Sequence, residues 1–168
     1  YERKLAREQR RLSRRKGARK SEKQSRRYLK QRKRVARIHA KIADARTDAL
    51  HKVTTMLADE NQVLCMEDLN AKGMMKNHHL AKAVTDASFG EFARLLEYKC
   101  AERGRTLVRV DRFYPSSKTC SVCGHRLDAL PLSVRSWDCP ACGAHHDRDV
   151  NAARNILTEG KRILSNTE

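Results

Sequence analysis

The 168-residue chain is strongly basic, with 37 Lys and Arg against 20 Asp and Glu and a formal net charge of +17. Hydrophobic residues make up 39% of it and aromatic residues only 5%, a composition that argues against one large sandwich or barrel core. No apolar run approaches the roughly 18–20 residues that a membrane span needs, and no signal-peptide core opens the chain. We therefore expect a cytoplasmic protein without a membrane partner, built as one ordinary domain or as one small domain with a subdomain.

Nearly all of the excess charge lies in the first quarter of the chain. Residues 1–40 hold 18 Lys and Arg against 3 Glu, whereas residues 41–168 hold 19 Lys and Arg against 17 Asp and Glu. Such a segment attracts polyanions by releasing counterions from phosphates, regardless of base sequence. A solvated, partly disordered arm is the alternative. The residues expected to bind nucleic acid are Arg10, Arg11, Arg14, Arg15, Lys16, Arg19, Lys20, Arg26 and Arg27.

The first 34 residues are compatible with a basic helix, and Gly17 is their one obvious break. From Val35 onward, apolar residues recur at spacings of mostly three and four, namely Val35, Ile38, Ile42, Ala45, Ala49, Val53 and Leu57. This stripe predicts an amphipathic helix that packs on another element. We expect the helix to end near Asp59 to Asn61 and its basic N-terminal continuation to lie along a nucleic-acid surface.

Two short strands are predicted in the middle of the chain. Gln62–Met66 is a continuous apolar run, typical of a strand covered on both faces, and Thr106–Val110 alternates in polarity. Residues 69–86 are expected to form a loop with a short helix, and a longer helix is expected from Ser88 to Gly104. The order helix, strand, helix, strand, cysteine motif, helix is typical of an α/β fold with an insertion.

Four of the six cysteines form two Cys-x-x-Cys-Gly motifs, Cys120/Cys123 and Cys139/Cys142, which are separated by 15 residues. This spacing predicts a tetrahedral zinc site. Because four thiolates leave no open coordination position, the zinc is expected to be structural rather than catalytic. Disulfides would need an oxidising compartment, and a redox motif needs one such pair rather than two.

The residues beside the cysteines are not needed as metal ligands. Gly124 and Gly143 follow the second cysteine of each pair, where a positive φ would let backbone N–H groups point at sulfur. Trp137 is expected to pack beneath the metal site. Three histidines are expected to contact phosphate or solvent: His125, His145 and His146. The other two cysteines, Cys65 and Cys100, are interpreted as buried small hydrophobic residues.

Carboxylates stand at the end of the first predicted strand and at the start of the last helix. Glu67 and Asp68 follow the strand, and Asp147 and Asp149 open a helix whose inner face is expected to be Ala152, Ala153, Ile156 and Leu157. Capping of the helix by Asp147 or Asp149 is one interpretation. The other is that Glu67 and an aspartate of this helix bind Mg²⁺, which can activate water and stabilise a displacement at phosphorus.

The combination of these motifs resembles a known family. The C-terminal half of the TnpB (OrfB) proteins of bacterial insertion sequences is similar to the runs REQRRLSRRK, CMEDLNAKGMMKN, YPSSKTCSVCG, CPACG and HHDRDVNAARNIL. Those proteins are long known as transposases and are similar to the type V CRISPR effector nucleases. The resemblance implies an α/β protein with a partial RNase H/RuvC-like fold, an inserted zinc ribbon and an N-terminal basic helical region. For intact members it implies RNA-guided, metal-dependent DNA cleavage in the bacterial or archaeal cytoplasm.

Carried over residue by residue, the resemblance implies that Glu67 and Asp149 are catalytic and use Mg²⁺. It implies that structural Zn²⁺ is held by Cys120, Cys123, Cys139 and Cys142, and that the partners are DNA and a guide RNA. The implied divisions are a basic helical region over 1–60, RuvC-like strands and helix over 61–115, a zinc ribbon over 116–143, and a final RuvC-like helix and tail over 144–168.

The family's first catalytic aspartate, which lies in an Asp-Leu-Gly type motif on an early strand, has no match in this chain. We therefore expect the chain to begin after that strand and to be inactive as a nuclease on its own, because the Mg²⁺ pair would lose a bridging ligand. A different class of protein remains open, in which the basic helix and zinc ribbon bind nucleic acid and the carboxylates only cap helices. A ribosome-associated zinc protein would fit the charge and size but leaves Glu67 and Asp149 unexplained.

Overall fold

The computed structural model describes residues 1–16 and 25–166. Its helices are α1 (Glu2–Arg14), α2 (Arg26–Glu60), α3 (Ala71–Met74), α4 (His78–Ala87), α5 (Phe89–Glu102) and α6 (Arg148–Ser165). Its strands are β1 (Val63–Glu67), β2 (Thr106–Val110), β3 (Ser136–Asp138) and β4 (His145–Asp147). The residues form two compact units, Tyr1–Val53 and Thr54–Glu168. The mixed helix and strand content that the sequence predicts is confirmed. None of the described helices combines the length and the apolarity that crossing a bilayer requires.

The first unit is a pair of helices joined through a buried polar contact. The Nε2 of Gln31, which is 1% exposed, donates to the Oε2 of Glu8 at 2.8 Å and to its backbone oxygen at 3.0 Å. Arg11 donates to the other carboxylate oxygen of Glu8 at 2.7 Å. The hydrogen bond from Gln31 lowers the pKa of the Glu8 carboxyl below its ordinary value. Glu8 therefore pairs α1 with α2 in its ionised form.

The apolar stripe predicted along α2 is only partly correct. Val35 and Ile38 are buried, but Ala45, Ala49 and Val53 are exposed. The less accessible positions instead continue in steps of four, through Ile42, Arg46, Leu50, Thr54 and Ala58. The predicted stripe continues from Ile42 to Ala45, three residues on, because apolar residues follow at Ala45, Ala49 and Val53. This spacing of three places the rest of the predicted stripe on the solvent side of the helix.

The second unit is built on the parallel pair β1 and β2, which are in register from Val63 opposite Thr106 to Glu67 opposite Val110. One face of the pair packs on α5 and the end of α2, where Ala58, Leu96 and Cys100 form a buried cluster with Leu57, Leu64, Met66, Phe92 and Leu107. The other face packs on α6. Since the described sheet has two strands, the residues of β1 stay half-buried although both of its faces are covered.

The predicted boundaries are close to the observed ones. Strand β1 is shifted by one residue and includes Glu67, whereas β2 has the predicted bounds. Helix α5 begins at Phe89 and ends at Glu102, just before Gly104, which has φ +62°. Residues 69–86 contain two helices, α3 and α4, rather than one. Among the predicted basic residues, Arg19 and Lys20, like Gly17, lie outside the described residues.

Close contact between α6 and the sheet depends on Gly160. A methyl group added there would lie 2.8 Å from Cβ of Cys65, closer still to its sulfur, and 3.8 Å from Cβ of Val108. We expect Gly160→Ala to lower the free energy of unfolding by about 1–3 kcal/mol, because α6 must move off β1. Urea unfolding would measure this loss.

The matched control is Gly90→Ala in α5, where nothing lies within 4 Å of the added methyl group. That change should be neutral or slightly stabilising, since alanine has the higher helix propensity. Adding Cys65→Ala to Gly160→Ala should recover part of the loss. Equal effects of the two glycine substitutions would contradict the packing argument.

Candidate metal centre and carboxylates

The four predicted cysteine ligands come together in space. The sulfur atoms of Cys120, Cys123, Cys139 and Cys142 all lie within 4.8 Å of one another. The Sγ atoms of Cys120 and Cys142 are 3.7 Å apart, and those of Cys123 and Cys139 are 3.6 Å apart. A tetrahedron of sulfurs around Zn²⁺, with Zn–S near 2.3 Å, has edges of about 3.8 Å. The cluster therefore fits a tetrahedral metal ion such as zinc.

The cysteine pairs are presented by two similar turns. The N–H of Gly124 donates to the backbone oxygen of Cys120 at 2.9 Å, and Gly143 does the same to Cys139 at 2.8 Å. Both glycines have positive φ, +79° and +71°, as the sequence predicts. The turns reverse the chain, so that Cys120 N–H donates to the oxygen of His125 and Cys139 N–H to that of Ala144. Each turn thereby holds two sulfurs on one side.

The thiols of this cluster cannot all ionise independently. Burial alone would raise the pKa of Cys139, but the backbone N–H groups of Cys142 and Ala141 and the neighbouring thiols lower it to about 6. The N–H of Ala144 favours the thiolate of Cys142, yet Cys123 and the other neighbouring thiols raise the pKa of Cys142 to about 12. A divalent cation at the centre would stabilise the four negatively charged thiolates together, and its binding would displace the remaining protons.

A small apolar cluster supports the cysteines. Buried Cys120, Trp137 and Cys139 pack with Leu127, Leu130, Val134 and Ala144. The predicted packing of Trp137 is confirmed. Residues 116–147, called the cysteine module below, thus have a core of their own, which includes the antiparallel pair β3 and β4.

The prediction for His146 is wrong. Its side chain is only 3% exposed, and its Nε2 lies 3.1 Å from Cys120 Sγ, with the ring centroid 4.7 Å from that of Trp137. His125 and His145 are exposed, and Nδ1 of His145 is 2.7 Å from Asp138 Oδ1. His145 and His146 differ in exposure because successive side chains of a strand point to opposite sides. His146 is the middle residue of β4, so its side chain faces away from those of its two neighbours.

The two aspartates at the start of α6 have different roles. Asp147 is the N-cap, and its Oδ1 accepts from the backbone N–H groups of Asp149 at 3.0 Å and Val150 at 2.9 Å. Asp149 is exposed, and no side-chain donor among the described residues bonds to its carboxylate. Capping therefore explains Asp147 but leaves Asp149 available for another role.

The predicted inner face of α6 is partly wrong, because Ala153 and Leu157 are exposed. The buried positions of this helix are Asn151, Asn155 and Gly160. The Oδ1 of Asn151 accepts from Ser121 N–H at 2.9 Å, and its Nδ2 donates to Thr119 O at 2.8 Å. Asn155 Nδ2 donates to Thr119 O at 2.6 Å and to the oxygen of Ser116 at 2.8 Å. Two asparagines, which sequence analysis missed, therefore bind α6 to the segment that enters the first cysteine turn.

At the end of β1, the two carboxylates have different surroundings. Asp68 is paired with Arg112 at 2.5 Å and with Arg109 at 3.4 Å. Glu67 is half-buried, has no ion-pair partner among the described residues, and desolvation raises the pKa of its carboxyl. A cavity of about 470 Å³ opens beside Glu67, and its lining combines apolar residues such as Phe89 and Phe92 with charged ones such as Arg94.

Packing of α6 links the element that carries Asp149 to the strand that carries Glu67. Gly160 contacts Cys65 in the middle of β1, two residues before Glu67. Asp149 lies eleven residues before Gly160, a distance of about 16 Å along a helix axis. The carboxylates therefore belong to packed elements, but no contact between them occurs among the described residues.

Two family models match the chain. The model described as probable transposase matches residues 1–78, which include Glu67, and the model described as Cas12f1-like TNB domain matches residues 89–156, which include the four cysteines and Asp149. Two solved structures, a Cas12f1–sgRNA–target DNA complex and a CRISPR-Cas12f ternary complex, are similar in fold with TM-scores of 0.60 and 0.63. Both are 22% identical, and they cover 78% and 92% of this chain and 38% and 31% of those chains.

The chain is also similar in sequence to relatives from bacteria and from a virus. A Streptomyces pristinaespiralis protein is 55% identical over 78% of this chain and 32% of its own length, and one from Escherichia coli K12 is 34% identical over 98% of this chain and 43% of its own. Both are named putative RNA-guided DNA endonucleases. TnpB-like protein L79 of Acanthamoeba polyphaga mimivirus is 29% identical over 78% of this chain and 26% of its own length. The chain thus spans between about a quarter and two fifths of these relatives. It belongs to the TnpB (OrfB) family of insertion-sequence proteins.

Proposed function

We propose that this chain acts within a transposon-encoded, RNA-guided DNA endonuclease, to which it contributes the catalytic carboxylates Glu67 and Asp149. The start of α6 carries this proposal. Asp147 caps the helix, so Asp149 is an exposed carboxylate that the cap does not use, on a helix fixed by Asn151 and Asn155. The names of the relatives support DNA as the substrate and RNA as the guide.

We also propose that residues 61–115 and 144–168 form part of an RNase H/RuvC-like fold, with a zinc ribbon over 116–143 and a basic helical region over 1–60. The chain order supports this division, because the cysteines lie between β2 and α6, and both of those elements pack with β1. The ribbon is thus an insertion in one packed unit. Its four cysteines would hold Zn²⁺ in a purely structural site.

The carboxylates would hold Mg²⁺ during cleavage. When bound, the ion supplies an activated water and stabilises charge on the phosphate that is cut. Glu67 is available for this role because it has no ion-pair partner among the described residues. Desolvation raises its pKa, and a cation beside it would favour the ionised form. Asp149, one residue into α6, extends from a positive helix end, which favours a charged carboxylate. The two residues would approach the same ion from separate elements.

The test is a chimera in which this chain replaces the matching segment of the Streptomyces pristinaespiralis relative. We expect Mg²⁺-dependent cleavage of a plasmid target, and a loss of roughly 100-fold or more with Glu67→Gln or Asp149→Asn, because a metal ion contributes several kcal/mol to such a reaction. Asp147→Asn is the matched control, since asparagine also caps helices. It removes the same charge two residues away and should leave cleavage near the parent rate.

Cleavage by the Glu67→Gln and Asp149→Asn chimeras at the parent rate would disprove the catalytic assignment. The carboxylates would then only be structural, and the non-catalytic nucleic-acid-binding protein considered above would be favoured.

The basic residues of α1 and α2 differ in the contacts that they make within the protein. Arg11 is paired with Glu8, and Arg15 donates to Gln31 at 3.0 Å, so both help to join the helices. Four other cations surround a cavity of about 340 Å³ beside Glu8 and Ile38, namely Lys4, Arg34, Arg37 and Lys41. We propose that these four, with Arg10, Arg14, Lys16, Arg26 and Arg27, meet the phosphates, and that Arg11 and Arg15 contribute mainly through the helix pair.

We expect the double substitution Arg37→Gln/Lys41→Gln to weaken duplex DNA binding and to reduce the slope of log affinity against log salt by about 1.8, or roughly 0.9 for each lost phosphate contact. Fluorescence anisotropy at several salt concentrations measures the slope. Lys30→Gln/Lys33→Gln is the control, because it removes the same charge from exposed positions of α2 that do not line the cavity. Equal slopes for the two variants would show that only total charge matters.

A further inference from the structure

A histidine side chain contacts the cysteine cluster in addition to the four cysteines themselves. Nε2 of His146 lies 3.1 Å from Sγ of Cys120, and both side chains are buried. Among the described residues, His146 provides the one side-chain nitrogen within hydrogen-bonding distance of these sulfurs. The backbone supplies N–H groups to other sulfurs of the cluster, from His125 to Cys123 and from Ala144 to Cys142.

The chemistry of a metal-bound thiolate decides the direction of this hydrogen bond. A cysteine that ligates zinc has lost its proton, so its sulfur can only accept. The partner nitrogen must then carry the hydrogen. We propose that His146 is a positioning residue, a proposal that rests on the zinc site proposed above. Its Nε2–H donates to the Cys120 thiolate and so connects the metal site to β4, the strand that leads into α6.

Packing holds the ring of His146 in this orientation. His146 stands directly opposite Trp137 in the β3–β4 pair, and the two rings are 4.7 Å apart and tilted by 43°. A ring fixed between an indole and a sulfur has little freedom to turn elsewhere. The hydrogen bond therefore costs little further side-chain entropy.

The position of His146 in the chain gives the contact its consequence. The next residue, Asp147, caps α6, and Asp149 follows two residues later. Cys120 belongs to the first cysteine turn, which Asn151 also contacts through Ser121. His146 and Asn151 thus connect this turn to the residues on either side of Asp149, so metal binding would fix the start of the helix.

Direct ligation of the metal by His146 is a different arrangement, and the geometry disfavours it. The four sulfurs form a mutually close set that does not include a histidine nitrogen. A hydrogen bond from outside the coordination sphere stabilises thiolate charge without displacing a ligand. It also fixes the orientation of Cys120 relative to β4.

The test uses the full chain loaded with ¹¹³Cd in place of zinc and labelled with ¹⁵N. We expect the Nε2 hydrogen of His146 to be observed and to show scalar coupling to ¹¹³Cd through the hydrogen bond to sulfur. Direct one-bond coupling between ¹⁵Nε2 and ¹¹³Cd would overturn the proposal, since His146 would then be a ligand. Absence of a hydrogen on Nε2 of His146 would also overturn the proposal. A chain that binds no metal would contradict both the zinc site and the proposed role of His146.

Substitutions separate the hydrogen bond from the packing of the ring. His146→Phe keeps an aromatic ring against Trp137 but removes the donor, and we expect zinc affinity in chelator competition to fall about tenfold, the usual effect of losing a partner outside the coordination sphere. His146→Gln offers an amide N–H at a similar reach and should regain most of this affinity.

His145→Phe is the matched control, because His145 is exposed and pairs with Asp138. It should leave zinc affinity unchanged. Hydrogen exchange at the backbone amides of Asp149 and Val150 should accelerate in His146→Phe only. Parent-like zinc affinity and exchange in His146→Phe would overturn the proposal and leave the four-cysteine site intact.

Discussion

Cys139→Ser is expected to abolish stoichiometric zinc binding and to unfold the cysteine module. The module is small, and its apolar cluster is built around two of the ligands themselves, Cys120 and Cys139, together with Trp137. Apparent zinc-binding free energies of about 10–16 kcal/mol are typical of small four-ligand domains and are coupled to folding. Loss of one ligand should therefore remove both the metal and the packing of Trp137.

Metal analysis and fluorescence measure these two effects separately. The parent chain should hold about one zinc, and Cys139→Ser close to none. Because Trp137 is the only tryptophan in the sequence, its emission reports on the module alone and should shift to longer wavelength as the ring becomes exposed.

The control for this experiment is Cys65→Ala, which removes a thiol from β1, outside the cluster. It should keep the zinc and the parent emission. Full zinc content and unchanged emission in Cys139→Ser would contradict the four-cysteine assignment.

Local chemistry explains which features were predictable from the sequence. The spacing of Cys120, Cys123, Cys139 and Cys142 specifies two turns because each turn is closed by its own glycine, and this geometry needs no distant partner. The strands β1 and β2 are short and apolar, with breaks on both sides, so their bounds were correct to within one residue. These features depend on neighbouring residues in the chain.

The errors occur where a distant contact decides which side of an element is buried. His146 is polar and was expected at the surface, but it is buried because Cys120 and Trp137 surround it. In α6 the apolar pattern favours Ala153 and Leu157, whereas Asn151 lies on the inner side because its amide pairs with the backbone N–H of Ser121 and the backbone oxygen of Thr119. Apolar periodicity does not detect a helix face that is chosen by hydrogen bonds.

The assignment of the two carboxylates remains a prediction for a similar reason. Asp147 and Asp149 are equivalent by sequence, since both occur at the start of a helix. The observed hydrogen bonds separate them, because Asp147 accepts from two backbone N–H groups and Asp149 accepts none from a described side chain. The catalytic role of Glu67 depends on a metal ion that joins it to Asp149, and the chimera described above tests that connection.

Asn151→Ala is expected to destabilise the zinc-loaded chain more than Leu157→Ala, although apolar periodicity alone predicts the reverse. Asn151 is 1% exposed, and its amide pairs with the N–H of Ser121 and the backbone oxygen of Thr119. Alanine would leave the N–H of Ser121 without its partner, at about 1–3 kcal/mol, and the oxygen of Thr119 would keep only the hydrogen bond from Asn155. Leu157 is 42% exposed, so its truncation should cost less than the roughly 2–5 kcal/mol typical of a buried leucine.

Urea unfolding at saturating zinc measures the two losses under one condition, which keeps the metal contribution equal. Asn151→Asp separates the two hydrogen bonds, because aspartate can still accept from Ser121 but places an oxygen against the oxygen of Thr119. We expect it to be as damaging as Asn151→Ala, since the lost donor becomes a repulsive contact. If Leu157→Ala proved the more damaging substitution, Leu157 would belong to the inner face of α6, and the helix that carries Asp149 would be rotated from the position described.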